Sequence, residues 1–95
     1  MRIVWSPRAL RHMGDIRRFI ARDDPGAAAN VADAIRRSVD SLARLPQRGR
    51  PGRVPETREL VVPRTPYIVP YSVHGETVEI LAVFHSARRW PKSFD

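Results

Sequence analysis

The sequence predicts an α+β fold of order β-α-α-β-β-β, an antiparallel helical hairpin packed on a small, mostly antiparallel sheet. Three observations carry this. A short β-prone run opens the chain. Two stretches with helical apolar spacing follow, each with its own start signal. After a Pro- and Gly-rich loop the apolar pattern changes to alternation. The 95 residues leave room for one domain, spanning 1–95, and one core.

Arg2-Ile3-Val4-Trp5 reads as the first strand. Ser6-Pro7 then reads as a helix start, with Ser6 as N-cap and Pro7 at the first helical position. Leu10, Met13, Ile16 and Ile20, with Ala9 and Phe19 beside them, predict one apolar stripe on a helix from about 7 to 22. Asp23-Asp24-Pro25-Gly26 stops that helix and starts another, with Asp24 as cap and Pro25 as first residue. The second stripe is Ala28, Val31, Ala32, Ile35, Val39 and Leu42. It is expected to end at Leu45, because Pro46 disfavours helix in the residue before it. So short a connection makes the two helices an antiparallel hairpin.

Residues 46–57 are rich in Pro, Gly and Arg and lack periodicity, which predicts a basic loop. Strands are then expected at Arg58–Val62, Tyr67–Val73 and Thr77–Phe84, with His74-Gly75 suited to a tight turn between the last two. In the last strand Val78, Ile80, Ala82 and Phe84 form the face expected to pack on the helices. Pro70 conflicts with a central strand position, since it lacks a ladder donor. The strand is kept, and a bulge or a solvent-facing nitrogen is predicted there.

Charge is the informative bulk property. The formal net charge is +7, and all but one of the 17 basic residues are arginine, the exception being Lys92. Such a domain attracts polyanions or an acidic protein partner. With no cysteine there is no disulfide scaffold and no thiolate chemistry. No apolar run approaches the ~18 residues of a membrane span, and the opening Met1-Arg2-Ile3-Val4-Trp5-Ser6-Pro7 is not a secretory signal. No cofactor or metal site is expected, and a cytoplasmic location is.

These pieces, in this order, resemble the RelE/ParE toxin family of type II toxin–antitoxin systems over nearly the whole chain. The resemblance rests on Val4-Trp5-Ser6-Pro7-Arg8-Ala9-Leu10, Asp24-Pro25-Gly26-Ala27-Ala28, Leu45-Pro46 with Gly49-Arg50-Pro51-Gly52-Arg53, and Thr57-Arg58-Glu59-Leu60-Val61. It continues in Tyr67-Ile68-Val69-Pro70-Tyr71 and Val83-Phe84-His85-Ser86-Ala87-Arg88-Arg89-Trp90-Pro91. The pattern looks closer to the ParE branch. The resemblance implies a growth-arresting toxin held inactive by a cognate ParD-like antitoxin, whose acidic C-terminal segment wraps the toxin. It also implies a hetero-oligomer that reaches operator DNA only through the antitoxin. ParE-type members act on DNA gyrase; RelE-type members cut mRNA in the ribosome.

RNA cleavage needs a general base, a general acid and cationic stabilisation of the phosphorane. The residues available for it are Glu59 as base, Arg58 and Arg88 as phosphate clamps and His85 as acid. Against an enzyme, Ser86 follows His85 where nucleases of the family carry tyrosine. The strand from Tyr67 to Val73 has no arginine, with Ser72 where a basic residue is usual. Arg58 and Glu59 are adjacent on a strand and so point to opposite faces. A gyrase-directed binder is therefore the first reading and an mRNA endonuclease the second. Candidate target-binding residues are Arg48, Arg50, Arg53, Arg58, Arg88, Arg89 and Trp90, since Arg and Trp dominate interface hot spots. Each also has a plain structural reading: exposed sheet charges, a solvated loop, a histidine closing an apolar strand, and a Trp90-Pro91 tail folded back on the domain.

Overall fold

In the computed structural model, which describes residues 1–94, β1 (Arg2–Trp5) runs through Ser6 into α1 (Pro7–Ala21). The Ser6 hydroxyl accepts the Ala9 amide proton at 3.0 Å and donates to the Leu81 carbonyl at 3.1 Å. One side chain thus caps the helix and ties its start to the sheet. α2 (Pro25–Asp40) opens on Asp24, whose carboxylate accepts the Ala27 amide proton. Both caps fall where the sequence places them.

α2 ends earlier than Leu45. It stops at Asp40 and tightens into a 3-10 turn over Ser41–Ala43. The Ser41 hydroxyl donates to the Ser38 carbonyl at 2.6 Å, competing with the backbone ladder in the last turn. Leu42 stays fully buried, so the apolar stripe outlasts the helix. Within the expected basic loop lies a further short strand, β2 (Arg50–Pro51), which pairs with β3 (Arg58–Val61).

β4 (Tyr67–His74) and β5 (Thr77–Ile80) form the expected hairpin. Gly75, with φ +57°, is the first residue of its two-residue loop. The sheet order is β1-β5-β4-β3-β2, with β1 parallel to β5 and the other neighbours antiparallel. The connection from β1 to its neighbour β5 therefore crosses the helices and three other strands.

The expected Thr77–Phe84 strand is interrupted after Ile80 and resumes as β6 (Phe84–His85), still paired with β4. Tyr71 faces Ile80 and Ile68 faces Phe84. Between those pairs β4 has Val69 and Pro70, and the returning chain has Leu81, Ala82 and Val83, one residue more. This is the bulge predicted at Pro70, carried by the opposite strand. The Pro70 carbonyl still accepts the Leu81 amide proton, while its missing donor leaves the ladder open beyond. The extra residue also flips the alternation. Val83 joins the helix-facing core, and Phe84 shares the face of its partner Ile68. The expectation that Val78, Ile80, Ala82 and Phe84 form one helix-facing surface thus holds for Val78 and Ile80, while Phe84 turns out of the central core and meets α1 only at its edge, through His12 at 5.3 Å.

Core residues come from one face of each element: Ala9 and Met13 of α1, Ala32, Ile35 and Val39 of α2, and Leu60, Tyr67, Val69, Tyr71, Val78 and Ile80 of the sheet. The α1 stripe is narrower than expected. Leu10 and Phe19 lie on its flanks, 59% and 67% exposed. The far face of the sheet is covered as well, by Val54 of the basic loop and by the C-terminal tail, whose Trp90 and Phe94 rings lie 4.9 and 6.1 Å from Phe84. Tyr67 to Ser72 are accordingly buried without a break.

Candidate functional site

Two networks anchor the basic loop. In the first, Glu59 is 2% exposed and its carboxylate is fully engaged. It accepts from Arg53 through the backbone amide at 2.8 Å and the guanidinium at 3.1 and 3.2 Å, and from Arg50 at 3.0 and 3.3 Å. Burial alone would raise the Glu59 carboxyl, but the hydrogen bonds from Arg53 and Arg50 outweigh it and hold the group below its ordinary value. A carboxylate so placed is a poor general base. Arg53 also stacks on the Trp90 ring at 3.9 Å, joining the loop to the tail.

In the second network the Tyr71 hydroxyl donates to the Pro46 carbonyl at 2.7 Å and accepts the Gly49 amide proton at 2.8 Å. Burial raises the Tyr71 hydroxyl pKa against the opposing pull of Gly49 and Arg58. Arg58 donates to the carbonyls of Gly49 and Gln47 at 2.7 and 3.3 Å. Arg48 reaches the Ser41 hydroxyl at 2.9 Å. The loop arginines proposed as anion contacts are thus largely committed to holding the loop in place.

The candidate nuclease residues are not brought together. Arg58 and Glu59 face Tyr71 and Pro70 across the β3–β4 ladder, while His85 faces Tyr67 on the other side of β4. Tyr67 and Tyr71 are roughly 13 Å apart at the rise of a strand. The two adjacent residues also point to opposite faces, as their spacing requires. The exposed His85 accepts the Ala87 amide proton on Nδ1 at 3.1 Å, and its ring stands nearly perpendicular to that of Tyr67. The far face of the sheet offers Ser72, whose Oγ lies 2.8 Å from His74 Nε2, and Glu79, whose Oε1 lies 3.7 Å from the same nitrogen. Both partners meet one ring nitrogen, so this trio lacks the acid–His–nucleophile relay. It also places an acid where cleavage of RNA needs cations.

A groove between α1 and the C-terminal tail collects Arg8, Arg11, His12, Phe84, Arg88, Arg89 and Trp90. Arg88 lies 4.5 Å over the Phe84 ring. Val83 in the bulge has an amide that the ladder no longer uses, and His12 Nδ1 accepts it at 3.1 Å. This hydrogen bond fixes the neutral tautomer with the proton on Nε2. Burial, then the nearby Arg88, Arg8 and Arg11, hold His12 below its ordinary value, with Asp15 pulling the other way. Sequence reasoning passed over His12, which sits at the border of the polar face and the apolar stripe of α1, between exposed Arg11 and buried Met13. Only the register shift at Pro70 reveals its partner. The Trp90 Nε1 proton is the one buried side-chain donor among the described residues that lacks an acceptor. Among those residues no group of three or more His, Asp or Glu is placed to hold a metal ion.

The family model for the ParE toxin of the type II toxin–antitoxin system parDE matches residues 3–90. The chain belongs to the ParE toxin family. It is 50% identical over 91 residues to a candidate toxin, Y4kP, of Sinorhizobium fredii, covering 96% of this chain and 94% of that protein. It is 37% identical over 86 residues to Toxin RelE2 of Caulobacter vibrioides, covering 90% of this chain and 96% of that one. A chain of the chromosomal ParDE toxin–antitoxin system from P. aeruginosa superposes with a TM-score of 0.79 at 26% identity, over 90% of this chain and 95% of that one. Two helices on a mixed, mostly antiparallel sheet are thus the fold of this ParE toxin and of that neighbour.

Proposed function

We propose that this ParE-family toxin arrests growth by binding DNA gyrase, without chemistry of its own, and that a cognate ParD-like antitoxin neutralises it in the cytoplasm. The observation that carries the first part is the dispersal of the candidate nuclease residues. Glu59 is saturated by Arg50 and Arg53, and His85 lies at the far end of β4 from Arg58. A surface built to bind needs no such assembly. Arg88, Arg89 and Trp90 remain as target contacts.

Three features support the antitoxin. The P. aeruginosa neighbour comes from a ParDE system. Leu10 and Phe19 leave apolar surface uncovered on α1. A net charge of +7 would draw an acidic antitoxin segment by electrostatic steering. The resulting hetero-oligomer would meet operator DNA through the antitoxin.

A second reading, an mRNA endonuclease, is favoured by the names of the Caulobacter relatives, RelE2 and RelE1, at 37% and 31% identity. Replacing His85→Ala distinguishes them in a growth assay with induced toxin. The gyrase reading expects toxicity to persist; its loss, with the protein still folded, supports the nuclease.

A further inference from the structure

We infer that the groove between α1 and the C-terminal tail is a phosphate-binding site whose occupant is the backbone of a nucleic-acid strand. The groove shares Arg88, Arg89 and Trp90 with the proposed target surface, but the inference concerns the affinity of this chain alone for a nucleic-acid strand, so either can fail without the other.

Charge is the first ground. Arg8 and Arg11 enter the groove from one turn of α1, and Arg88 and Arg89 from the tail. Among the described residues none of these four has a carboxylate partner, whereas Arg18, Arg36, Arg50 and Arg53 each do. Asp15, the acid nearest His12 on α1, is already paired with Arg18 at 2.6 Å. Like charges drawn together from two elements repel, and an anion between them relieves the repulsion.

The second ground is geometry. Arg88 lies over Phe84 at 4.5 Å and Arg8 over Phe94 at 5.5 Å. Stacking on a ring occupies the face of a guanidinium and leaves its N–H edge free for an oxyanion. His12 adds a neutral donor. Its Nδ1 is spent on Val83, and among the described residues its Nε2 has no hydrogen-bond partner, which leaves that N–H as a donor at the groove.

The third ground is the shape of the acceptor. A carboxylate presents two oxygens in one plane and suits a single fork. Donors arriving from both a helix and a tail suit a tetrahedral phosphate group, and four arginines carry more charge than one phosphate neutralises, which favours a strand with several phosphates.

The test is fluorescence anisotropy of end-labelled 12-nucleotide single strands, DNA and RNA, titrated with the purified chain between 50 and 200 mM salt. The groove variant is Arg8→Ala/Arg88→Ala. Its charge-matched control is Arg17→Ala/Arg37→Ala, away from the groove. The groove variant should weaken binding about tenfold and lower the log–log salt slope by roughly 1.4, or ~0.7 per lost phosphate contact on a single strand. The control should change little. His12→Gln, which keeps an acceptor for Val83, should weaken binding without altering the salt slope. Equal losses in both double variants would reduce the effect to net charge and overturn the site. Failure of either strand to bind at 50 mM salt, with inorganic phosphate still shifting the His12 ring resonances, would assign a free phosphate and overturn the strand. Competition by poly-glutamate as strong as that by the unlabelled strand would overturn phosphate in favour of an acidic peptide.

Discussion

Tyr71 holds Gly49 by a hydrogen bond from the Gly49 amide to the phenolic oxygen, 2.8 Å long and buried, between residues 22 positions apart. The two are also in close contact, since a Cβ on Gly49 would lie 2.7 Å from Tyr71 Cε1 and 2.9 Å from the Glu59 carbonyl. Replacing Tyr71→Phe keeps the packing and removes both hydroxyl bonds. It should cost about 1–3 kcal/mol in denaturant unfolding, because the Gly49 donor stays buried without an acceptor. Amide exchange should accelerate first between Pro46 and Arg53. Gly49→Ala should destabilise through the clash instead, with losses spread over the sheet.

The Glu59 ion pairs predict an asymmetry. Each arginine gives Glu59 two guanidinium bonds, but Arg53, 45% exposed, also lies over the Trp90 ring, whereas Arg50 is 53% exposed. Arg53→Ala should cost about 1–3 kcal/mol, since it weakens the pairing of a buried carboxylate and uncovers Trp90. Arg50→Ala should cost less than about 1 kcal/mol. Because the folded state holds Glu59 below its ordinary 4.5, its contribution is complete above that pH and fades as pH falls through the lower folded value. Stability of the wild type measured from pH 6 to pH 3 should show this decline, and the Glu59→Gln variant, less stable throughout, should lack that component.

His12 predicts a second pH dependence in a different window. Its folded pKa lies below the ordinary 6.5, so the unfolded chain takes up this proton first. The stability it confers is complete above that value and diminishes as pH drops below it, because protonating Nδ1 would break the bond to the Val83 amide. Chemical denaturation between pH 7.5 and 5 should show the fall. His12→Gln, which can still accept from Val83, should remove the slope at modest cost.

Most of the fold was legible in the sequence because its signals are local. Ser6-Pro7 and Asp24-Pro25 mark helix starts by capping chemistry that acts within one turn. Gly75 marks the hairpin by its backbone freedom. Pro70 announced a bulge but could not say which strand would carry it, since a missing donor constrains the pair and not one member. From that bulge follow the inversion of Phe84, the capture of Val83 by His12 and the packing of Trp90 on the far face. None of these has a periodic signature. The site was read less well for a related reason. Arg50, Arg53 and Glu59 look like free charges in a list of residues, and only pairing β2 with β3 brings them together.

The most direct measurement is a supercoiling assay with purified gyrase, relaxed plasmid and the isolated toxin, run beside primer extension on mRNA from cells expressing it. Inhibition of supercoiling at stoichiometric toxin, preserved in His85→Ala and absent when ParD-like antitoxin is added, is the predicted result. Unimpaired supercoiling together with new cleavage ends within translated messages would contradict the gyrase reading and establish the ribosome as the target.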